Sequence, residues 1–220
     1  HGASRDAFEY VKQKIQIEIN SVTDNPLIFA ADEEALSGGN FHGQPIAIAM
    51  DFFAIGAAEL GSISERRTAR MVDHKLSGLP PFLVNKSGLN NGFMIPQYVS
   101  AALVSENKVL CHPSSVDSIP TSANQEDHVS MGMFSSRKAV TVVDNIKKIL
   151  AIELLSAAQG LEFSKPLLPG KGTHAAYKAI REEIASVEED RYFHPDILSL
   201  IALLEEGTIL RAVEETVGEL

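Results

Sequence analysis

An all-α fold, a bundle of long helices, is what the 220 residues predict, and three observations carry that expectation. Apolar residues recur at spacings of three and four along several stretches, the period of one helix face. Tryptophan is absent and aromatic residues make up 6% of the chain against 45% hydrophobic residues, so the core has to be built from Leu, Ile, Val and Ala, which suit close helix packing. Glycine and proline gather in a few clusters and leave long stretches between them free of breakers.

The first helix is expected over 6–20, where Phe8, Val11, Ile15 and Ile19 fall on one face. Thr23-Asp24-Asn25-Pro26 stops it, because Asp and Asn favour local side-chain bonds and Pro restricts the residue before it. Leu27 to Phe29 reads as a short extended piece and Ser37-Gly38-Gly39-Asn40 as a flexible turn. Pro45 suits the first turn of a long helix over 45–71, which would span about 40 Å at 1.5 Å per residue. The first half of that helix is apolar on nearly every side, and Gly56, Ala57, Ala58 and Gly61 admit a neighbouring backbone closely, as in a tight bundle or a subunit core. Residues 73–94 read as an irregular loop, and helix resumes over 95–110 until His112-Pro113-Ser114-Ser115. A third long helix is placed over 125–159, with Ala139, Val142, Val143, Ile146, Ile149, Leu150 and Leu154 at helical spacing. Beyond a Gly- and Pro-rich connector, 173–187 and 195–205 read as peripheral helices, the last structure expected by about residue 206.

The length suits one domain. A formal net charge of −10 argues against a nucleic-acid surface, which needs clustered Lys and Arg. The most apolar stretch, 46–58, is thirteen residues interrupted by Asp51 and falls short of the roughly 20 that a membrane span requires. Cys111 is the single cysteine, so no intrachain disulfide can form, and a cytoplasmic location is the expectation.

Polar residues concentrate at two loop-to-helix junctions, Gly38-Gly39-Asn40-Phe41-His42-Gly43-Gln44 and Thr121-Ser122-Ala123-Asn124-Gln125-Glu126-Asp127-His128. Helix starts offer unpaired N–H donors, so a carboxylate substrate could be held there, and the same residue types serve equally as caps and turns. Glu126, Asp127 and His128 could act as acid-base groups, or the carboxylates could complement a helix dipole. Arg66 and Arg67 beside Glu65 could grip a carboxylate, or pair with acidic side chains between packed helices. His42, His112 and His128 lack metal-ligand spacing, and no Ser or Cys has an activating base nearby in the pattern, so neither a metal centre nor a nucleophile is expected.

Through these same residues the chain resembles the aromatic amino acid ammonia-lyases, helical homotetramers related in fold to the fumarase and aspartase group. The resemblance runs through Asn20-Ser21-Val22-Thr23-Asp24-Asn25-Pro26-Leu27, Ser37-Gly38-Gly39-Asn40-Phe41-His42-Gly43, Ser64-Glu65-Arg66-Arg67, Leu79-Pro80-Pro81-Phe82-Leu83 and Ser122-Ala123-Asn124-Gln125-Glu126-Asp127-His128-Val129-Ser130-Met131, in order and over nearly the whole chain. Asn40-Phe41-His42-Gly43 and Asn124-Gln125-Glu126-Asp127-His128 look like the members that act on histidine, whereas those acting on phenylalanine usually carry Gln after the Phe and His-Asn-Gln-Asp in the later motif.

The resemblance implies elimination of ammonia from L-histidine to give trans-urocanate, with Glu126 as a catalytic residue facing the substrate, where it holds the imidazole or helps move a proton, Phe41 lining the pocket, and His42, Asn124 and Gln125 binding the substrate beside it. It implies a methylidene-imidazolone electrophile made from an Ala-Ser-Gly tripeptide. No such tripeptide occurs here, since Ala3-Ser4 is followed by Arg5, and Ser37-Gly38, Ser77-Gly78 and Ser87-Gly88 are preceded by Leu36, Leu76 and Lys86. The expectation is therefore a C-terminal helical part that carries a share of the site, assembles as a homo-oligomer and is inactive alone. Phenylalanine or tyrosine lyases and aminomutases of the same family stand as alternatives, as does a non-catalytic helical assembly module.

Overall fold

The computed structural model describes all 220 residues and is all-helical apart from one small hairpin. In order, the elements are α1 (Gly2–Glu18), β1 (Leu27–Phe29), β2 (Glu34–Leu36), α2 (Gln44–Val72), α3 (His74–Ser77), α4 (Met94–Leu110), α5 (Gly132–Glu162), α6 (Lys171–Glu183), α7 (His194–Glu205) and α8 (Thr208–Val217), with single 3-10 turns at Pro81–Leu83 and Ser122–Asn124. The chain divides into two compact units, His1–Leu60 with Glu106–Val143 and Gly61–Ser105 with Asp144–Leu220. Helices α2, α4 and α5 each contribute residues to both.

In the first unit α1 packs on α2 at a point fixed by size. A Cβ added at Gly56 would meet the Ala7 Cβ at 2.9 Å, so the two backbones approach as closely as glycine permits. Ala7, Val11, Ala47, Ala49, Ala54, Ala57, Ala139 and Val142 fill this small-residue core. By length and composition alone α2 is long and apolar enough to cross a membrane. Its buried Asp51 is nonetheless ion-paired to Lys138 within the protein. The strands β1 and β2 pair antiparallel with Leu27 opposite Leu36. The sequence indicated only the first of them, because three residues leave no alternation to read.

The second unit is centred on Leu83, Phe93, Leu155, Ile180 and Leu200. Gln159, fully buried there, donates to the carbonyls of Leu83 and Val187 and accepts from the Val187 N–H, tying the 79–84 and 184–187 segments to α5. The arginines of the Ser64-Glu65-Arg66-Arg67 motif pair internally. Arg67 forms a bidentate contact with Glu153, and Arg66 lies 2.5 Å from Glu65, which also accepts from Gln97 at 2.8 Å.

Two corrections to the expected helices stand out. The third long helix begins at Gly132, seven residues after the expected Gln125, because a left-handed run at Ser122, Ala123 and Asn124 closes a turn in which Glu126 pairs its backbone with Thr121 and not with a helix. A further helix, α8, follows Glu205. Gly207 breaks the chain with φ of 69° as its composition suggests, but Ile209 and Val213 then resume helical spacing, and Val213 and Val217 close on Gly172 of α6. Within the expected 73–94 loop, Asp73 caps the short α3 by accepting the Lys75 N–H.

Candidate active site

Both polar motifs lie in the first unit, and the structure joins them. The earlier motif is shaped from outside itself. Asn25 Oδ1 accepts the Gly38 N–H at 2.9 Å and the Ser37 hydroxyl at 3.2 Å, so the Asp24-Asn25-Pro26 turn holds the loop that leads to Phe41. The chain then enters α2 through Gly43, whose φ of 72° is the left-handed conformation that glycine adopts without cost. Gly43 faces the Ser130 hydroxyl, and Gly132 faces the Gly43 carbonyl and Ala47, so the start of α5 sits against the start of α2.

Among the candidate residues, His42 and His128 meet directly. Their rings stand edge to face, with centroids 5.4 Å apart and planes at 89°. Phe41 lies edge-on to His42 at 6.3 Å and is 45% exposed. Asn124, Gln125 and Glu126 are exposed in a tight turn in which Thr121 and Glu126 exchange backbone hydrogen bonds of 3.0 and 3.3 Å. Because the Glu126 N–H and C=O are used in that exchange, Glu126 neither starts nor caps a helix, which removes the dipole and capping readings for it. Its carboxylate has no hydrogen-bond or ion-pair partner in the chain, which leaves it free to accept from a ligand.

Beneath the motifs lies a polar network that the sequence did not single out. Asp51, 4% exposed on α2, accepts the Ser115 N–H at 2.7 Å and pairs with Lys138 of α5 at 3.3 Å. Gln44 donates to the Ser115 carbonyl at 2.9 Å, and Lys138 also donates to the His112 carbonyl. The 111–115 segment is thus fastened to α2 and α5 just upstream of the loop that carries Glu126. Burial works against the Asp51 charge, but the Ser115 and Lys138 bonds outweigh it and hold the carboxyl below the usual carboxylate range. Burial pushes the neighbouring Cys111 thiol up, which keeps it protonated and unreactive. One signal of this network was available in the sequence: a lone charge inside an otherwise apolar helix needs a partner.

No three His, Cys, Asp or Glu side chains converge as a set of metal ligands. What the arrangement offers is an exposed aromatic ring, an imidazole pair and an unpaired carboxylate, set on two loops fixed by buried polar contacts.

Comparison with known proteins gives this arrangement a context. The model of the aromatic amino acid lyase family matches residues 1–182. Over 99% of its length the chain is 56% identical to the histidine ammonia-lyase of Alkaliphilus oremlandii, and over its whole length 57% identical to that of Symbiobacterium thermophilum. It spans 43% of the length of each of those relatives. The crystal structure of histidine ammonia-lyase from Trypanosoma cruzi matches the whole chain with a TM-score of 0.94 at 49% identity, over 44% of that chain. The tyrosine aminomutase of Streptomyces globisporus does so with a TM-score of 0.91 at 41% identity, over 42% of its own chain.

Proposed function

The chain belongs to the aromatic amino acid lyase family, and on that premise we propose that it forms the substrate-facing part of a histidine ammonia-lyase. The reaction is elimination of ammonia from L-histidine to give trans-urocanate. The observation that carries this reading is the meeting of the two motifs through His42 and His128, which sets the exposed Phe41 ring and the unpartnered Glu126 carboxylate on loops joined to each other. Glu126 accepts the imidazole N–H of the substrate, a charge-assisted bond stronger than a neutral one.

The methylidene-imidazolone of the family supplies the electrophile when it is bound. Its Ala-Ser-Gly precursor does not occur in these 220 residues, so they fit the wall of such a site and not its source. Phe41, 45% exposed and edge-on to His42, would flank that group. Assembly with further copies of the chain, to a tetramer, is part of the same proposal. Ile48, Phe52 and Ile55 lie along one face of α2, each more than 40% exposed, an apolar surface that a second copy would cover. A cytoplasmic location fits a chain whose one cysteine is free.

The test is a chimera in which this chain replaces the matched segment of the Alkaliphilus oremlandii enzyme. It should form urocanate from histidine, while the 220-residue chain alone releases no ammonia. A folded chimera that leaves histidine untouched, or that prefers phenylalanine or tyrosine, refutes the reading.

A further inference from the structure

The two ring nitrogens of His42 have different fates. The Gly43 carbonyl accepts the first helical hydrogen bond of α2, from the Ala47 N–H at 3.1 Å, so Gln44 is the first helical residue and its N–H has no partner inside the helix. His42 Nδ1 accepts that N–H at 3.0 Å. A nitrogen that accepts carries no proton, so the neutral ring is the tautomer with hydrogen on Nε2. His42 Nε2 has no partner in the chain, and the ring is only partly buried, standing edge-on between Phe41 and His128. Glu126, two residues before His128, offers the opposite function, since an ionised carboxylate can only accept.

We propose that His42 is a further substrate-binding residue: locked as an Nε2–H donor by the Gln44 amide, it binds the lone-pair nitrogen of the substrate's imidazole while Glu126 binds the N–H. The proposal rests on the histidine reading above. A neutral imidazole presents one N–H and one acceptor nitrogen, so one donor and one acceptor match it completely. A phenyl ring offers neither and would leave the Glu126 charge without an N–H, the kind of mismatch that discriminates between substrates.

Two substitutions separate the two nitrogens. His42→Asn puts an oxygen where Nδ1 stood, keeps the acceptor for Gln44 and removes the outward N–H. His42→Gln extends an amide N–H to the Nε2 position and gives up the acceptor. In the chimera, His42→Asn should raise KM for histidine about tenfold with kcat within about threefold, the scale of one lost hydrogen bond. His42→Gln should hold KM within about threefold and lower Tm by about 2–4 °C, the scale of one lost cap. Nitrogen NMR of the 220-residue chain should find the neutral His42 ring protonated on Nε2 alone. An Nδ1–H tautomer, or an equal rise of KM in both variants, overturns the proposal. A wild-type chimera inert toward histidine sinks the functional reading, whereas an active one whose KM ignores His42→Asn sinks only the role of His42.

Discussion

Replacing Asp51 by Ala would strip two bonds from the platform beneath the motif loops, the Ser115 N–H contact at 2.7 Å and the Lys138 pair at 3.3 Å. Breaking a buried pair by removing one partner costs about 3–5 kcal/mol, because the other charge is left uncompensated. The Lys138 side chain is 18% exposed and keeps the His112 carbonyl, which places the expected loss at the lower end, about 3 kcal/mol. Asp51→Asn keeps an acceptor for Ser115 and gives up only the charge, so about 1–2 kcal/mol should be lost. Urea unfolding at neutral pH, followed by far-ultraviolet circular dichroism, measures both. The decisive comparison is the double variant Asp51→Ala, Lys138→Met. If the stranded ammonium is the source of the damage, this protein should be more stable than Asp51→Ala alone by at least about 1 kcal/mol. A loss below about 1 kcal/mol for Asp51→Ala, or a double variant at the sum of the single losses, would refute the argument. The pH dependence has a definite sign: a carboxyl held below its ordinary range contributes stability above that range and loses it as pH falls.

Glu126→Gln in the chimera should lower kcat/KM for histidine about thirtyfold, roughly 2 kcal/mol, with unfolding free energy within about 0.5 kcal/mol of wild type, since the exposed carboxylate has no partner to lose. A stability loss without a kinetic one would make the residue structural. At Glu162, burial opposes the charge, but Lys165, Tyr177 and Arg181 hold the carboxyl at about 2, against an ordinary 4.5. Its contribution, at most about 3 kcal/mol, is present above pH 4.5 and disappears as pH falls toward 2, so Glu162→Gln should flatten the pH dependence of urea unfolding over that window. Light scattering of the 220-residue chain should give a multiple of 23.8 kDa, and a monomer mass at every concentration would contradict self-association through α2.

What was legible in the sequence follows a physical line. Helices α2 and α4 were placed to within a residue, because proline near their starts and breakers beyond their ends are local signals. The start of α5 was misplaced because Thr121 to His128 has the composition of a helix N-terminus, while the left-handed run over Ser122, Ala123 and Asn124 leaves little trace in residue type. Only Asn tolerates that conformation readily. The pairing of Arg67 with Glu153 and of Arg66 with Glu65 realises one of the two readings open for that motif, although the partner 86 residues away could not be named beforehand. The contact of His42 with His128 likewise joins residues far apart in sequence and rests on how α2 and α5 begin side by side.

The division of labour among the motif residues explains why resemblance singled them out and composition did not. Asn25, Gly43, Gln44 and Asp51 spend their polar groups or backbone freedom inside the protein, and each has a physical reason to be the residue it is. Phe41 and Glu126 do the reverse: one leaves a large ring nearly half exposed and the other a carboxylate without a partner. Of the three successive left-handed residues, Ser122 and Ala123 cost about 1–2 kcal/mol each, and the Thr121–Glu126 backbone exchange offsets only part of that. A carboxylate without a partner, carried on a turn that costs stability, is accounted for if something outside the chain uses it. In the proposed reading, that is the imidazole held between Glu126 and His42.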